Sequence, residues 1–314
     1  MWPVFAILAV IVAIFMGVSI GSSSVPPAFG PVRSSGFSGV LQASLIAGIA
    51  AAVGAFVQGG SVTKTVGSGI VSGGITELQA FSILFIGSAL VIASVVTSYP
   101  MPTAFTVVGA VVGSAYSFGN SVNYMGISRV VGYWIAIPFL AVAIGFVLAK
   151  VIRRYVDREK NRKAIEIMTF VMGLFVAFTA GANSVGLAVG PLQGFGFGNS
   201  FLLGLGAVSI LAGALILSPK IVEAVSFEYS NVGPRRSIAG LGTAAILAQI
   251  GVLFGIPISF NEAIISAIIG SGMVEGSSNI GKRKMVFTVG AWISAFLLSI
   301  MLTFGLSELL LLFF

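Results

Sequence analysis

A single carboxylate stands inside an apolar run, in Ile256-Pro257-Ile258-Ser259-Phe260-Asn261-Glu262-Ala263-Ile264-Ile265. Placing a lone charge in a membrane helix costs about 2.5–3.5 kcal/mol on insertion scales, so such groups pair with a lysine or serve a function. The function open to Glu262 is to hold a cation or a proton. The residues before it suit the opposite charge. A helix that starts after a proline, with Ser259 and Asn261 in its first turn, presents free N–H groups and a positive dipole end to an anion. The same construction occurs earlier, where Pro100 and Pro102 precede Thr103. Pro100/Pro257, Ala110/Ala267, Gly113/Gly270 and Ser114/Ser271 coincide in the two copies.

A second pair of polar segments lies upstream of each half-helix. Ser22, Ser23 and Ser24 fall in Gly21–Pro31, and Asn183 and Ser184 fall in Gly181–Pro191. With an offset of 160, Phe15–Gly36 and Phe175–Gly196 are identical at 8 of 22 positions without a gap. Small residues packing two helices together would account for the composition. They would not account for its recurrence at matching positions. Duplicated helix-breaking motifs in two halves of an apolar chain point to a transporter site. A short polar segment around Lys64 corresponds to one around Glu223. That lysine either pairs with the glutamate or neutralises a bound anion. Gln58, Gln79, Gln193 and Gln249 read as hydrogen-bonding links between helices.

Other chemistries are excluded by what the chain lacks. It has no histidine and no cysteine, and Asp157 is its one aspartate. Imidazole relays, thiol chemistry, clusters of metal ligands and a Ser/His/Asp set are therefore absent. No Gly-x-x-x-x-Gly-Lys-Ser/Thr loop is present to bind ATP. The expectation is a non-enzyme without a cofactor, with a transporter ahead of an anion channel.

The elements that position these residues are membrane helices. The 314 residues are 57% hydrophobic and 8% charged, with a mean hydropathy of +1.10, against roughly 25% charged residues in soluble domains. Apolar runs such as Ile135–Leu148, Phe201–Leu217 and Val286–Leu306 lack the alternation of barrel strands, so they read as helices. The run Met1–Val18 has no basic leader and ends in the duplicated motif, so it reads as structure and not as a signal peptide. The net charge of +7 reflects topology and not nucleic-acid binding. Its main cluster, Lys150–Lys163, forms a loop placed in the cytoplasm by the positive-inside rule, with Arg235-Arg236 and Lys282-Arg283-Lys284 on the same side.

Each half then reads as helix, broken Gly/Pro motif, helix, short polar segment, helix and Pro-started half-helix. No straight helix is expected to survive the glycines and prolines of 19–36. The fold class predicted is an all-α polytopic membrane protein, two inverted repeats whose broken or re-entrant helices meet at a midplane site. The first repeat is 1–125, a connecting helix and basic loop 126–166, and the second repeat 167–314.

These paired motifs resemble those of the PiT inorganic phosphate transporter family. Its hallmark is Gly-Ala-Asn-Asp-x-Ala-Asn in each half, followed by a Pro-x-Ser-x-Thr half-helix that runs into Val-Gly-Ala-x-x-Gly. Gly181-Ala182-Asn183-Ser184 with Gly190-Pro191 matches the first element, and Thr106–Gly113 the tail of the second. The resemblance spans nearly the whole chain. It implies symport of a tetrahedral oxyanion with Na⁺ or H⁺, at a cell membrane, by a homodimer. Phosphate is the first expectation and sulfate the alternative. It also implies substrate contacts at Ser22, Ser23, Ser24, Thr103, Asn183, Ser184, Ser259 and Asn261, and cation or proton coupling at Asn183 and Glu262. The family's Asn-Asp pair is replaced by Ser23-Ser24 and Asn183-Ser184. Both acids, which the family associates with sodium coordination, are missing, and Na⁺ is a possible co-transported ion. The Gly-Ser-Ser-Ser stretch and Val62–Ile70 look more like the family's bacterial sulfate permease branch.

Overall fold

The computed structural model describes residues 2–29, 39–97, 101–156, 162–216, 233–274 and 282–313. Helices make up nearly all of it. In chain order they are α1 (Trp2–Ser24), α2 (Val40–Gln58), α3 (Gly60–Lys64), a π-helical turn Thr65–Gly69, α4 (Glu77–Thr97), α5 (Thr103–Ser117) and α6 (Tyr124–Tyr155). Then come α7 (Arg162–Val189), a 3₁₀ turn Gly190–Phe195, α8 (Asn199–Ile216), α9 (Pro234–Leu253), α10 (Phe260–Met273) and α11 (Lys282–Phe313). Eight of these are long and apolar enough to cross a bilayer, while α5 and α10 are shorter apolar helices. The 32 residues of α6 measure about 48 Å at 1.5 Å each.

The helices sort their side chains by size, not by polarity. On α2, Leu41, Leu45, Ile49, Val53, Phe56 and Val57 face outward, whereas Ala43, Ala47, Gly48, Ala51, Gly54 and Ala55 are buried. Lipid is as apolar as leucine, so hydrophobicity does not drive these helices together. Small residues that let backbones approach do.

The close approaches come in matched pairs. A Cβ on Gly181 of α7 would collide with the Ala51 carbonyl of α2, and one on Gly21 of α1 with the Ile210 carbonyl of α8. Gly54 meets the Phe178 carbonyl, and Gly213 the Val18 carbonyl. In the outer helices Gly113 lies on Ile300 and Gly270 on Val142. Exchanging α1 with α7, α2 with α8, α4 with α9, α5 with α10 and α6 with α11 maps each such contact onto its partner. The helix-helix pairings obey the same exchange: α1 packs on α4 and α8 as α7 packs on α9 and α2, and α5 on α11 as α10 on α6. The chain is two intertwined repeats, each completed by a long helix that lies across the other's half-helix.

The breaks fall at the ends of the duplicated motifs and not within them. The helix α7 runs unbroken through Gly181 and Asn183 to Val189, and Pro191 enters only in the 3₁₀ turn after it. The helix α1 likewise continues to Ser24 before bending at Val25. The glycines there are packing surfaces against a facing backbone, and a proline at a helix end removes no hydrogen bond that the helix needs. The true interruptions are the extended residues before α5 and α10. Pro102 and Ser259 both have extended backbone, with φ/ψ of −71°/128° and −89°/112°.

Candidate functional site

The two half-helices begin at one place. A cavity at their N-termini is lined by Thr103 and Ala104 from α5, Ile258, Ser259 and Phe260 from the start of α10, Ser24 from α1, and Asn183, Ser184 and Leu187 from α7. It offers about 10 Å³ to the centre of a water-sized sphere. The lining combines four hydroxyls, the Asn183 amide and apolar side chains, and no lysine, arginine or carboxylate takes part among the described residues. Two helix starts, with four hydroxyls, form a set of donors for a small anion.

The position of each group has a local cause. The Ser259 hydroxyl accepts from the Glu262 amide at 3.2 Å and caps α10. Pro102 starts α5 without a side-chain cap, and the first two residues of that helix, Thr103 and Ala104, line the cavity. The extended segment between α9 and α10 is held from two sides. Asn183 donates from Nδ2 to the Ile258 carbonyl at 2.9 Å and accepts the Ile258 amide on Oδ1 at 2.9 Å. Trp134 of α6 donates its indole N–H to the Pro257 carbonyl at 2.9 Å. Its ring stacks on Phe105 of α5, with centroids 3.8 Å apart and planes 14° from parallel. Through Trp134 the two half-helices are joined side by side.

The residues expected from the sequence separate into groups. Ser24, Thr103, Asn183, Ser184 and Ser259 converge on the cavity. Asn183 lines it, but both ends of its amide are engaged by Ile258, so it shapes the wall more than it offers free groups. Ser22 and Ser23 do not line the cavity and bond back onto their own helix, to the carbonyls of Ser19 and Ile20. The Asn261 side chain and all of Glu223 lie outside the described residues. Lys64 is exposed at the end of α3 and does not line the cavity. Of the glutamines, Gln249 donates to Gln58 at 2.8 Å, joining α9 to α2, and Gln79 donates to Asn120 at 3.2 Å.

Glu262 lies one turn into α10, 1% exposed. Its Oε2 is buried without a hydrogen-bond partner among the described residues. A buried carboxylate oxygen left unpaired in a membrane helix is costly. Trp134 escaped the sequence reading. The signal available was weak: one of three tryptophans, placed within an apolar helix, where an indole N–H must find an acceptor.

Comparison with known proteins fits this geometry. The model of the phosphate transporter family matches residues 20–173 and again 156–303. The sulfate permease CysP of Bacillus subtilis is 30% identical over 96% of this chain and 87% of its own length. A protein of Haemophilus influenzae, named as a candidate phosphate permease, is 22% identical over 89% of this chain and 90% of its own. A solved structure, "The sodium-dependent phosphate transporter", superposes with a TM-score of 0.89 over 99% of this chain and 100% of that one, at 19% identity. The twofold family match, the near-complete alignment and the shared fold assign the chain to the phosphate transporter family.

Proposed function

We propose that the chain is a secondary transporter that carries a tetrahedral inorganic oxyanion across the cell membrane, with phosphate as the first substrate to test. The observation that carries this reading is the meeting of the α5 and α10 starts with Ser24, Ser184 and Ser259 at one cavity. Hydroxyls and backbone N–H groups there replace the anion's hydration shell. The two repeats rock against each other around that point to expose it to either side in turn. The basic stretch 150–163 faces the cytoplasm.

Coupling falls to Glu262. It is the buried carboxylate nearest in sequence to the Ser259 cap, and its free oxygen can take Na⁺ or a proton. The neighbour named as sodium-dependent supports the Na⁺ reading. A cation held there offsets the charge of the anion as both cross.

Sulfate is a second reading with its own support. The cavity lining has hydroxyl donors and no carboxylate. Hydroxyls can donate to either oxyanion, but without a carboxylate the lining lacks the strong charged acceptor that would favour the proton of phosphate over sulfate. The 30% identity with a sulfate permease over 96% of the chain points the same way. Proteoliposomes containing the purified protein, given labelled phosphate or labelled sulfate with and without Na⁺ and proton gradients, test the reading. Saturable, gradient-driven uptake of one anion is expected. Uptake of neither, or a flux that never saturates, refutes it.

A further inference from the structure

A larger cavity opens at the other end of α6 from the basic loop. About 210 Å³ is open there. Its walls are the π-helical turn, the first turns of α6 and the residues that follow α9. Arg129 and Arg153 lie 24 residues apart on α6, so about 36 Å separates this mouth from the basic end.

The rim is rigid. Asn123 donates to the Gly69 carbonyl at 3.0 Å and accepts the Gly126 amide at 3.0 Å, tying the π turn to the start of α6. Gly255, with φ at +67°, seats the segment after α9 against Ser61 and Thr65. Into this frame projects one charged side chain, Arg129. It is exposed and has no ion pair among the described residues, and no carboxylate lines the space.

The far wall continues directly into the inner site. Ile256 lines the vestibule, Ile258 and Ser259 line the inner cavity, and between them in the chain stands Pro257, whose carbonyl Trp134 holds. The inner cavity has no basic lining residue, so long-range attraction of an anion must come from elsewhere. A single cation in a walled cavity raises the local concentration of anions. The volume also limits the ligand. It is below the 300 Å³ or so of sites for drug-sized molecules. It exceeds the roughly 30 Å³ share of a bulk water several times over, which leaves room for an inorganic ion with part of its hydration shell.

We infer that this vestibule is a capture site for an inorganic oxyanion, held by Arg129 before it passes the Pro257–Ser259 segment to the inner cavity. The inference rests on the transport reading and adds a second, outer station to it. The native chain has no cysteine, so Met125→Cys places one thiol in the vestibule wall. In the purified full-length protein, its reaction rates with an anionic (sulfonatoethyl) and a cationic (trimethylammonioethyl) methanethiosulfonate are compared. The anion-over-cation ratio is expected to fall about fivefold on adding Arg129→Gln and to stay near its starting value with Arg129→Lys. Millimolar sulfate or phosphate should slow the anionic reagent more than chloride at equal ionic strength. In proteoliposomes, Arg129→Gln should raise KM about two- to fivefold with the maximal rate unchanged. A ratio indifferent to Arg129→Gln, or protection no better than chloride's, overturns the inference. A parent protein that takes up neither anion overturns the transport reading instead, and the labelling result then judges the anion site separately.

Discussion

Replacing Asn183 by alanine removes two hydrogen bonds at once, since its amide grips both the N–H and the C=O of Ile258 at 2.9 Å. Both peptide groups belong to a buried residue, and each loses its partner. An unsatisfied buried polar group costs about 1–3 kcal/mol, so the pair amounts to roughly 2–6 kcal/mol of lost restraint on the segment that sets Ser259. If only about 1.4 kcal/mol of that appears in substrate binding, affinity falls tenfold. The expected result for Asn183→Ala is at least a tenfold drop in kcat/KM for anion uptake, with a lower thermal midpoint in detergent. Asn183→Asp keeps an acceptor for the Ile258 amide but turns a second carboxylate oxygen on its carbonyl and buries a charge beside the cavity, so it should fall at least as far as alanine. Uptake by Asn183→Ala with the parent's KM and maximal rate would refute the view that this clamp organises the site.

Further outcomes can be measured in the same assay. Ser259→Ala removes the cap of α10, worth about 0.5–2 kcal/mol, together with a lining hydroxyl, so KM should rise with little loss of protein. Trp134→Phe keeps an aromatic ring against Phe105 and loses the bond to the Pro257 carbonyl, about 0.5–1.5 kcal/mol; a severalfold loss of transport with normal expression is expected. Glu262→Gln should abolish uptake driven by a Na⁺ or proton gradient, and full gradient-driven uptake would remove Glu262 from the coupling. Gly181→Leu forces a side chain into the Ala51 backbone, so the protein should fail to accumulate as a monodisperse species.

Much of this was legible in the sequence because duplication leaves a trace at fixed offsets. The repeat from Phe15 and from Phe175, and the two proline-started helices, lead straight to Thr103, Ser184 and Ser259 around one cavity. Glu262 was legible from energetics alone, as a charge in an apolar run. The exact places of the breaks within the motifs were not legible because Gly and Pro have two uses. At Gly181 and Gly21 the missing side chain serves a neighbour's backbone, and only the three-dimensional contact distinguishes this from a kink. The Asn183–Ile258 clamp spans 75 residues and the Trp134–Pro257 bond spans 123. Neither leaves a periodic or compositional signal, since a side chain that satisfies a distant peptide looks like any other polar or aromatic residue in a helix.

The matched glycine seams have a consequence for how such a protein can rest. Gly21 on Ile210 and Gly181 on Ala51 are the same joint built twice, in opposite senses. On the transport reading proposed above, tightening one joint while loosening its twin would yield an equivalent arrangement with the roles of the halves traded. A single methyl group at either seam would press on a backbone carbonyl and prise that joint open while leaving its twin closed, so one change would bias the two halves unequally.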